Sequence, residues 1–231
     1  MGFSPDMNSP VTGAPYSAVQ VTQFTQKLAD GNTIQHSEQA NMYRDTQGRV
    51  RIEHNFSGRG PGGGQSPSTV ISIFDPVAGY NYMLQPNSQK AVQSEARMRP
   101  APPPSSDARP GHRQPKADAS AQRQVENLGT QTINGVLATG ARTTQTIPAG
   151  AIGNAQQIQA VREVWISQDL KVPVMIKTSD PRFGETTMQL TRIVQTNPDA
   201  SLFQVPAGYT IESAPPRPAG RMWAPNKGSN R

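Results

Sequence analysis

The chain has 231 residues, enough for one large β domain or two small ones, and no cysteine, which excludes a disulfide framework and a thiolate metal site. Charged residues make up 16% of it, against about 25% in a typical soluble domain, and Gln, Thr, Asn and Ser fill the gap, as suits sheets with one wet face. The net charge of +6 sits mainly in residues 97–123 (six basic, two acidic) and 212–231 (four basic, one acidic), so the strand-forming remainder is close to neutral and no basic groove for nucleic acid is expected.

No apolar run reaches the roughly 18 residues a membrane-spanning helix needs. The opening MGFSPDMNSPVTGAP lacks the basic start and apolar core of a signal peptide. If the protein is exported, its leader has been removed before this sequence begins. Asp6 sits where a myristoylation pattern needs Ser or Thr.

Residues 1–15 are rich in Pro, Gly, Ser and Asn and read as an extended arm. A first strand follows over 16–28. Val19 and Val21 share one face and Phe24 and Leu28 the other, which predicts a bulge near Thr22 and Gln23. Asp30-Gly31-Asn32 turns the chain into a strand over 33–45, and Gln47-Gly48 turns it again. In the third strand Val50, Ile52, His54 and Phe56 alternate with Arg49, Arg51, Glu53 and Asn55, the pattern of a half-buried strand. Residues 57–68 (SGRGPGGGQSPS) lack the Lys-Ser/Thr and the helix start that a phosphate-binding loop requires, so they read as a plain loop. Shorter strands are expected over 69–75, 80–84 and 89–93, the middle one covered on both faces.

Residues 98–116 contain six prolines and cannot enter a sheet interior. They form an excursion within one domain, because either half alone would be an open sheet with a bare apolar face. A hairpin over 124–147 turns at Asn134-Gly135, a strong two-residue turn signal. The segment 161–194 then reads as a three-stranded meander. Val164 and Ile166 share a face opposite Trp165, and Met188, Leu190 and Val194 share one in the third strand. Asn197-Pro198-Asp199 starts a short helical turn, a last strand lies near 209–211, and 212–231 form a Pro-rich basic tail.

The expected fold class is therefore all-β: a strongly curved antiparallel sheet, or half-barrel, of about eleven strands with at most short helical turns. Residues 16–211 make the single domain, with a Pro/Arg-rich excursion at 97–123. Long sequential antiparallel strands coil, and the concave face so produced is filled by side chains, a plug or a ligand.

Several motifs resemble a known group. They are Glu163-Val164-Trp165-Ile166-Ser167, Leu170 with 172–177, Asp180-Pro181-Arg182 with Gly184-Glu185, Pro198-Asp199, Leu202-Phe203, and Val205-Pro206-Ala207-Gly208-Tyr209. In the first half, Arg44-Asp45 with 48–53, and Asp75-Pro76 with Tyr80 and Tyr82, fit the same pattern. Over roughly 16–211 the chain resembles exported bacterial proteins of the outer-membrane lipoprotein carrier (LolA/LolB/RseB-like) superfamily. The resemblance implies a half-barrel whose concave side holds acyl chains or another apolar ligand, in the periplasm or at the cell surface. The carriers close that side with several helices, and no helical stretch of that length is legible here.

No catalytic, cofactor or metal set stands out. His36, His54 and His112 have no carboxylate at metal-ligand spacing, and His54 reads as a packed residue on its strand's apolar face. There is no Gly-x-Ser-x-Gly elbow. A non-enzymatic chain is expected. Phe74, Tyr80, Tyr82, Trp165 and Met188 are the candidates to face an apolar ligand. Beside a weaker one, a surface sensor whose basic loop and tail contact phosphate-bearing envelope polymers, two readings of function stay open. One is an exported module that binds a lipid, lipoprotein or other apolar molecule. The other is a homo-oligomeric subunit of an extracellular filament, joined through arms 1–15 and 212–231 by β-strand addition.

Overall fold

The computed structural model describes residues 10–56, 68–96 and 122–214. The loop at 57–67, most of the Pro-rich excursion, the first nine residues and the tail from 215 lie outside the described residues, as does His112.

The strands are β1 (Tyr16–Lys27), β2 (Thr33–Arg44), β3 (Val50–Phe56), β4 (Ser68–Asp75), β5 (Tyr80–Gln85) and β6 (Lys90–Glu95), then β7 (Gln122–Ile133), β8 (Val136–Ile147), β9 (Ile158–Ser167), β10 (Val172–Asp180), β11 (Gly184–Val194) and β12 (Thr210–Ser213). They form one open sheet in the order β12-β6-β5-β4-β3-β2-β1-β11-β10-β9-β8-β7. All pairs are antiparallel except β12, which runs parallel to β6. The described helical content is two 3-10 turns, Pro86–Ser88 and Ala200–Phe203. The expected all-β, curved, open sheet is what forms, with twelve strands.

The turns sort onto two ends. One end, called the base below, carries the connections at 45–49, 76–79, 134–135 and 168–171. Their sequences dictate sharp reversal. Asn134 and Gly135 both take positive φ, 48° and 88°, as a two-residue hairpin turn requires. The Asp45 carboxylate accepts from the backbone N–H of Gln47 (3.0 Å) and Arg49 (2.9 Å) and from Arg49 Nε (2.6 Å), so one side chain closes the β2–β3 turn.

The base ends curl over the sheet. Asn134 Nδ2 donates to the Leu190 carbonyl at 2.7 Å. Asn134 leads into β8, and β8 lies three places from β11 in the strand order. Three places in a flat sheet are about 14 Å, so contact demands strong curvature. Arg44 shows the same thing across β2 and β10. Its Nε and Nη2 donate to the Ala14 carbonyl (2.9 and 2.6 Å), and Nη2 also donates to the Leu170 carbonyl in the β9–β10 turn. The guanidinium is buried, with its Cζ 4.8 Å from the centre of the Tyr16 ring, and no carboxylate pairs with it among the described residues. Burial lowers the Arg44 pKa and raises that of Tyr16. One cation thus pins the arm, β2 and the β9–β10 turn together.

The main core fills this curl. Tyr16, Met42, Ile52 and Phe74 from β1–β4 and Leu190 from β11 meet Trp165, Val172, Val174 and Ala138 from β8–β10. Burying side chains of this size contributes about 1.5–3 kcal/mol each. A smaller second core lies on the opposite face of β4–β6. There Ile71, Ile73, Leu84 and Ala91 pack with Tyr82, Val205 and Tyr209, so the chain after the second 3-10 turn covers the sheet before joining its edge as β12.

Two local expectations are corrected. First, β1 pairs with β2 from Tyr16 to Lys27 without a break, and the bulge lies instead in β11, where Arg192 and Ile193 together face Ala18 between the Ser17–Val194 and Val19–Thr191 pairs and Arg192 takes φ 51°. A consequence is that Val194 leaves the face of Met188 and Leu190 and is 50% exposed. Second, β5 is covered on one face only. Leu84 is fully buried under the C-terminal segment while Met83, on the other face, is 50% exposed. The first seven residues of β2 are exposed throughout, so the sheet projects beyond its core at the end opposite the base.

Candidate functional site

Strand register defines which side chains share a face, because directly opposed residues point the same way. Met188 opposes Ile176, Ile176 opposes Val164, and Val164 opposes Ala141. Leu190, two residues from Met188, belongs to the main core. Further across the sheet the core changes sides. In β8 and β9 the buried residues are Ala138, Trp165 and Ser167, whereas Ile166 is 40% and Leu137 57% exposed. The cause is the irregularity between Pro173 and Met175, which offsets the β9–β10 ladder by one residue and brings Val172, Ser167 and Trp165 onto the buried side.

The result is an apolar strip that no described element covers. Leu137 and Ala141 from β8, with Thr139 between them opposite Ile166, then Ile166 and Val164 from β9 and Pro173 and Ile176 from β10, share the face opposite Trp165. Val164, Ile176 and Pro173 are half-buried, and Leu137, Ala141 and Ile166 are exposed. Clustered exposed apolar residues of this kind mark contact sites on soluble domains.

One step toward the open end, the next row is polar. Thr143 opposes Arg162, Arg162 opposes Thr178, and Thr178 opposes Thr186. The reverse face of the same strands is charged and self-compensated. Arg142 contacts Glu163 at 2.7 Å and Glu126 at 3.0 Å, linking β7, β8 and β9, and Lys177 stands opposite Glu163. The hydrogen bond to Glu163 is the main reason the Arg142 pKa is raised. At the β10–β11 turn, Arg182 contacts Asp180 at 2.7 Å and, chiefly through that bond, holds its carboxyl below the ordinary range.

The five residues singled out from sequence are not brought together. Phe74 and Trp165 lie in the main core, and Met188 is buried on β11. Tyr80 and Tyr82, with ring centres 6.3 Å apart, point from the opposite face to Phe74, which is paired with Asn81. Tyr82 packs on the second core and Tyr80 is 39% exposed. The Trp165 ring lies directly against Gly140, where a Cβ would come within 2.6 Å of it, and its buried Nε1 has no hydrogen-bond partner among the described residues. The sequence alone does not mark Leu137 and Ile166 as exposed, or Val164 and Ile176 as half-buried beside them, because alternation shows two faces of β9 and β10 without showing which one the core takes. The signal was present in Pro173, a residue that breaks ladders within strands.

Among the described residues, no three His, Asp or Glu side chains are grouped to hold a metal ion. No described helix is long and apolar enough to cross a membrane. No family model matches the sequence, and no curated protein matches it. Solved structures do. An uncharacterized conserved protein from Thermus thermophilus matches at TM-score 0.44 and 12% identity, over 87% of this chain and 91% of that one. The chain is distantly similar to the MucB and LolA group. In the Pseudomonas aeruginosa MucA/MucB complex the match has TM-score 0.41 and 12% identity, covering 83% of this chain and 56% of that one. A LolA superfamily protein from Nitrosomonas europaea matches at TM-score 0.28 and 8% identity, over 86% of this chain and 93% of that one. At such identities and scores, function has to be argued from the chain's own residues.

Proposed function

We propose that this protein is a non-enzymatic binding module of the bacterial envelope, exported, with an apolar molecule such as a lipid or the lipid part of a lipoprotein as its ligand. The apolar strip carries this reading: Leu137 and Ile166 are exposed and Val164 and Ile176 half-buried beside them, next to a polar row on the same face, while the reverse face is ion-paired. Covering these side chains removes apolar surface from water on both the strip and the ligand's own chain, and that burial drives the association. The concavity itself is occupied near the base by the protein's own side chains, so the ligand would lie along the sheet face. A fluorescent fatty-acid analogue titrated into purified protein should show saturable binding that Ile176→Asp weakens at least tenfold. Equal binding by the variant, with unchanged circular dichroism, would remove the strip from the account.

A second reading is favoured by one observation. β7 is a sheet edge twelve residues long, almost wholly exposed, with no Pro or Lys in it. Edges of this length are templates for strand addition, and a terminal arm of another copy is the partner this reading names, giving a homo-oligomer or filament. Removing residues 1–9 and 215–231 should then reduce the particle size seen by light scattering; an unchanged size refutes it.

A further inference from the structure

The polar row beside the apolar strip narrows the ligand class, on the premise that the strip binds an apolar chain. Arg162 is exposed and lies on the same face as Val164, and its guanidinium has no ion-pair or hydrogen-bond partner among the described residues. The other guanidinium groups of β8–β11 differ. Arg142 is held by two carboxylates on the reverse face, and Arg182 is held by Asp180. Arg192 sits at the base irregularity, away from the strip.

The neighbours of Arg162 are suited to a small anion. Thr143 and Thr178 oppose it on either side, and Thr186 continues the row. Their hydroxyls donate and accept, and none carries a competing negative charge. The carboxylates nearest in register belong elsewhere. Glu163 points to the reverse face toward Arg142, Asp180 is paired with Arg182, and Glu38 contacts His36 two strands beyond Thr186. One residue pair along β9, from Val164 to Arg162, spans about 7 Å, so chain and headgroup contacts fit a single extended molecule.

We infer that the strip and the Arg162 row together form a site for a single-chain anionic amphiphile, the apolar chain on Val164, Ile176 and Ile166 and the anionic group on Arg162 with Thr143 and Thr178. A guanidinium–anion contact at an exposed site is modest and salt-dependent, so a several-fold to tenfold preference is expected.

The test uses the full chain with three probes that share an oleyl chain: oleate, oleoyl lysophosphatidate and the neutral oleyl alcohol, below their micellar concentrations. The parent should bind at least one anion five- to tenfold tighter than the alcohol at low salt, and the better anion tells carboxylate from phosphate. Arg162→Gln, an exposed change that leaves folding intact, should remove that preference and leave alcohol binding unchanged. Equal affinity for all three probes, or an anion preference that survives Arg162→Gln, overturns the headgroup site and leaves the apolar strip standing. Failure of the parent to bind any of the three overturns both.

Discussion

Truncating Arg44 tests how the curl is held. In Arg44→Ala the Ala14 and Leu170 carbonyls lose their donor in a region where Arg44 itself is 2% exposed. Each buried carbonyl left without a partner costs about 1–3 kcal/mol. The stacking of the guanidinium on Tyr16 is lost as well, worth up to about 2 kcal/mol when desolvated. Against this, the variant no longer buries a cation without a counter-ion, which offsets several kcal/mol of that sum. The net expectation is a loss of about 2–4 kcal/mol. Urea unfolding followed by tryptophan fluorescence reads it as a lower midpoint at unchanged slope. Arg44→Lys keeps the charge but lacks the forked donor, so it should recover only about 1 kcal/mol of the loss. A loss below about 0.5 kcal/mol in Arg44→Ala would refute the reasoning, because surface substitutions alone reach that value.

Gly140→Val should cost more than about 2 kcal/mol, since the new side chain enters the Trp165 ring and overpacks the core; the same unfolding curves, with a shifted tryptophan emission, check it. Arg182→Ala should move the Asp180 titration upward toward the ordinary carboxyl range, which proton-detected NMR measures directly. Because the carboxyl is held low in the folded state, the stability it adds is complete above about pH 4, the unfolded value, and fades as the pH falls through the lower folded value. Solvent screening keeps that contribution below about 1 kcal/mol. Replacing Asn134 with Ala removes its hydrogen bond to Leu190 and an αL-tolerant residue together, and should lower stability by about 1–2 kcal/mol in the same assay.

Much of this fold was legible because its strands announce themselves. The Asn134-Gly135 turn fixed one hairpin, and the alternation in β3 placed Val50 and Ile52 on the core side. The meander over 161–194 was found with its order and turns intact. What escaped depends on contacts far apart in sequence. The bulge lies in β11 at Arg192, about 170 residues along the chain from the β1 residues it faces, and no local pattern in Thr22 or Gln23 reports it. The change of core side at Pro173–Met175 turned Trp165 inward and left Ile166 outside, so the aromatic candidate of β9 was packed while the aliphatic Ile166 and Leu137 stayed exposed. A two-faced alternation is equally consistent with either outcome. The parallel pairing of β12 with β6 was also beyond reach, since it needs the C-terminal segment to cross the second core first.

The most direct measurement is the content of the purified protein itself. Mild organic extraction of the parent chain and of the double variant Val164→Asp/Ile176→Asp, followed by mass spectrometry, should find a co-purified acyl species in the parent and none in the variant. Both proteins should keep the same β-sheet circular dichroism. A parent free of acyl species that also fails to take up an added fatty acid, or a variant that retains as much as the parent, would contradict the proposed role.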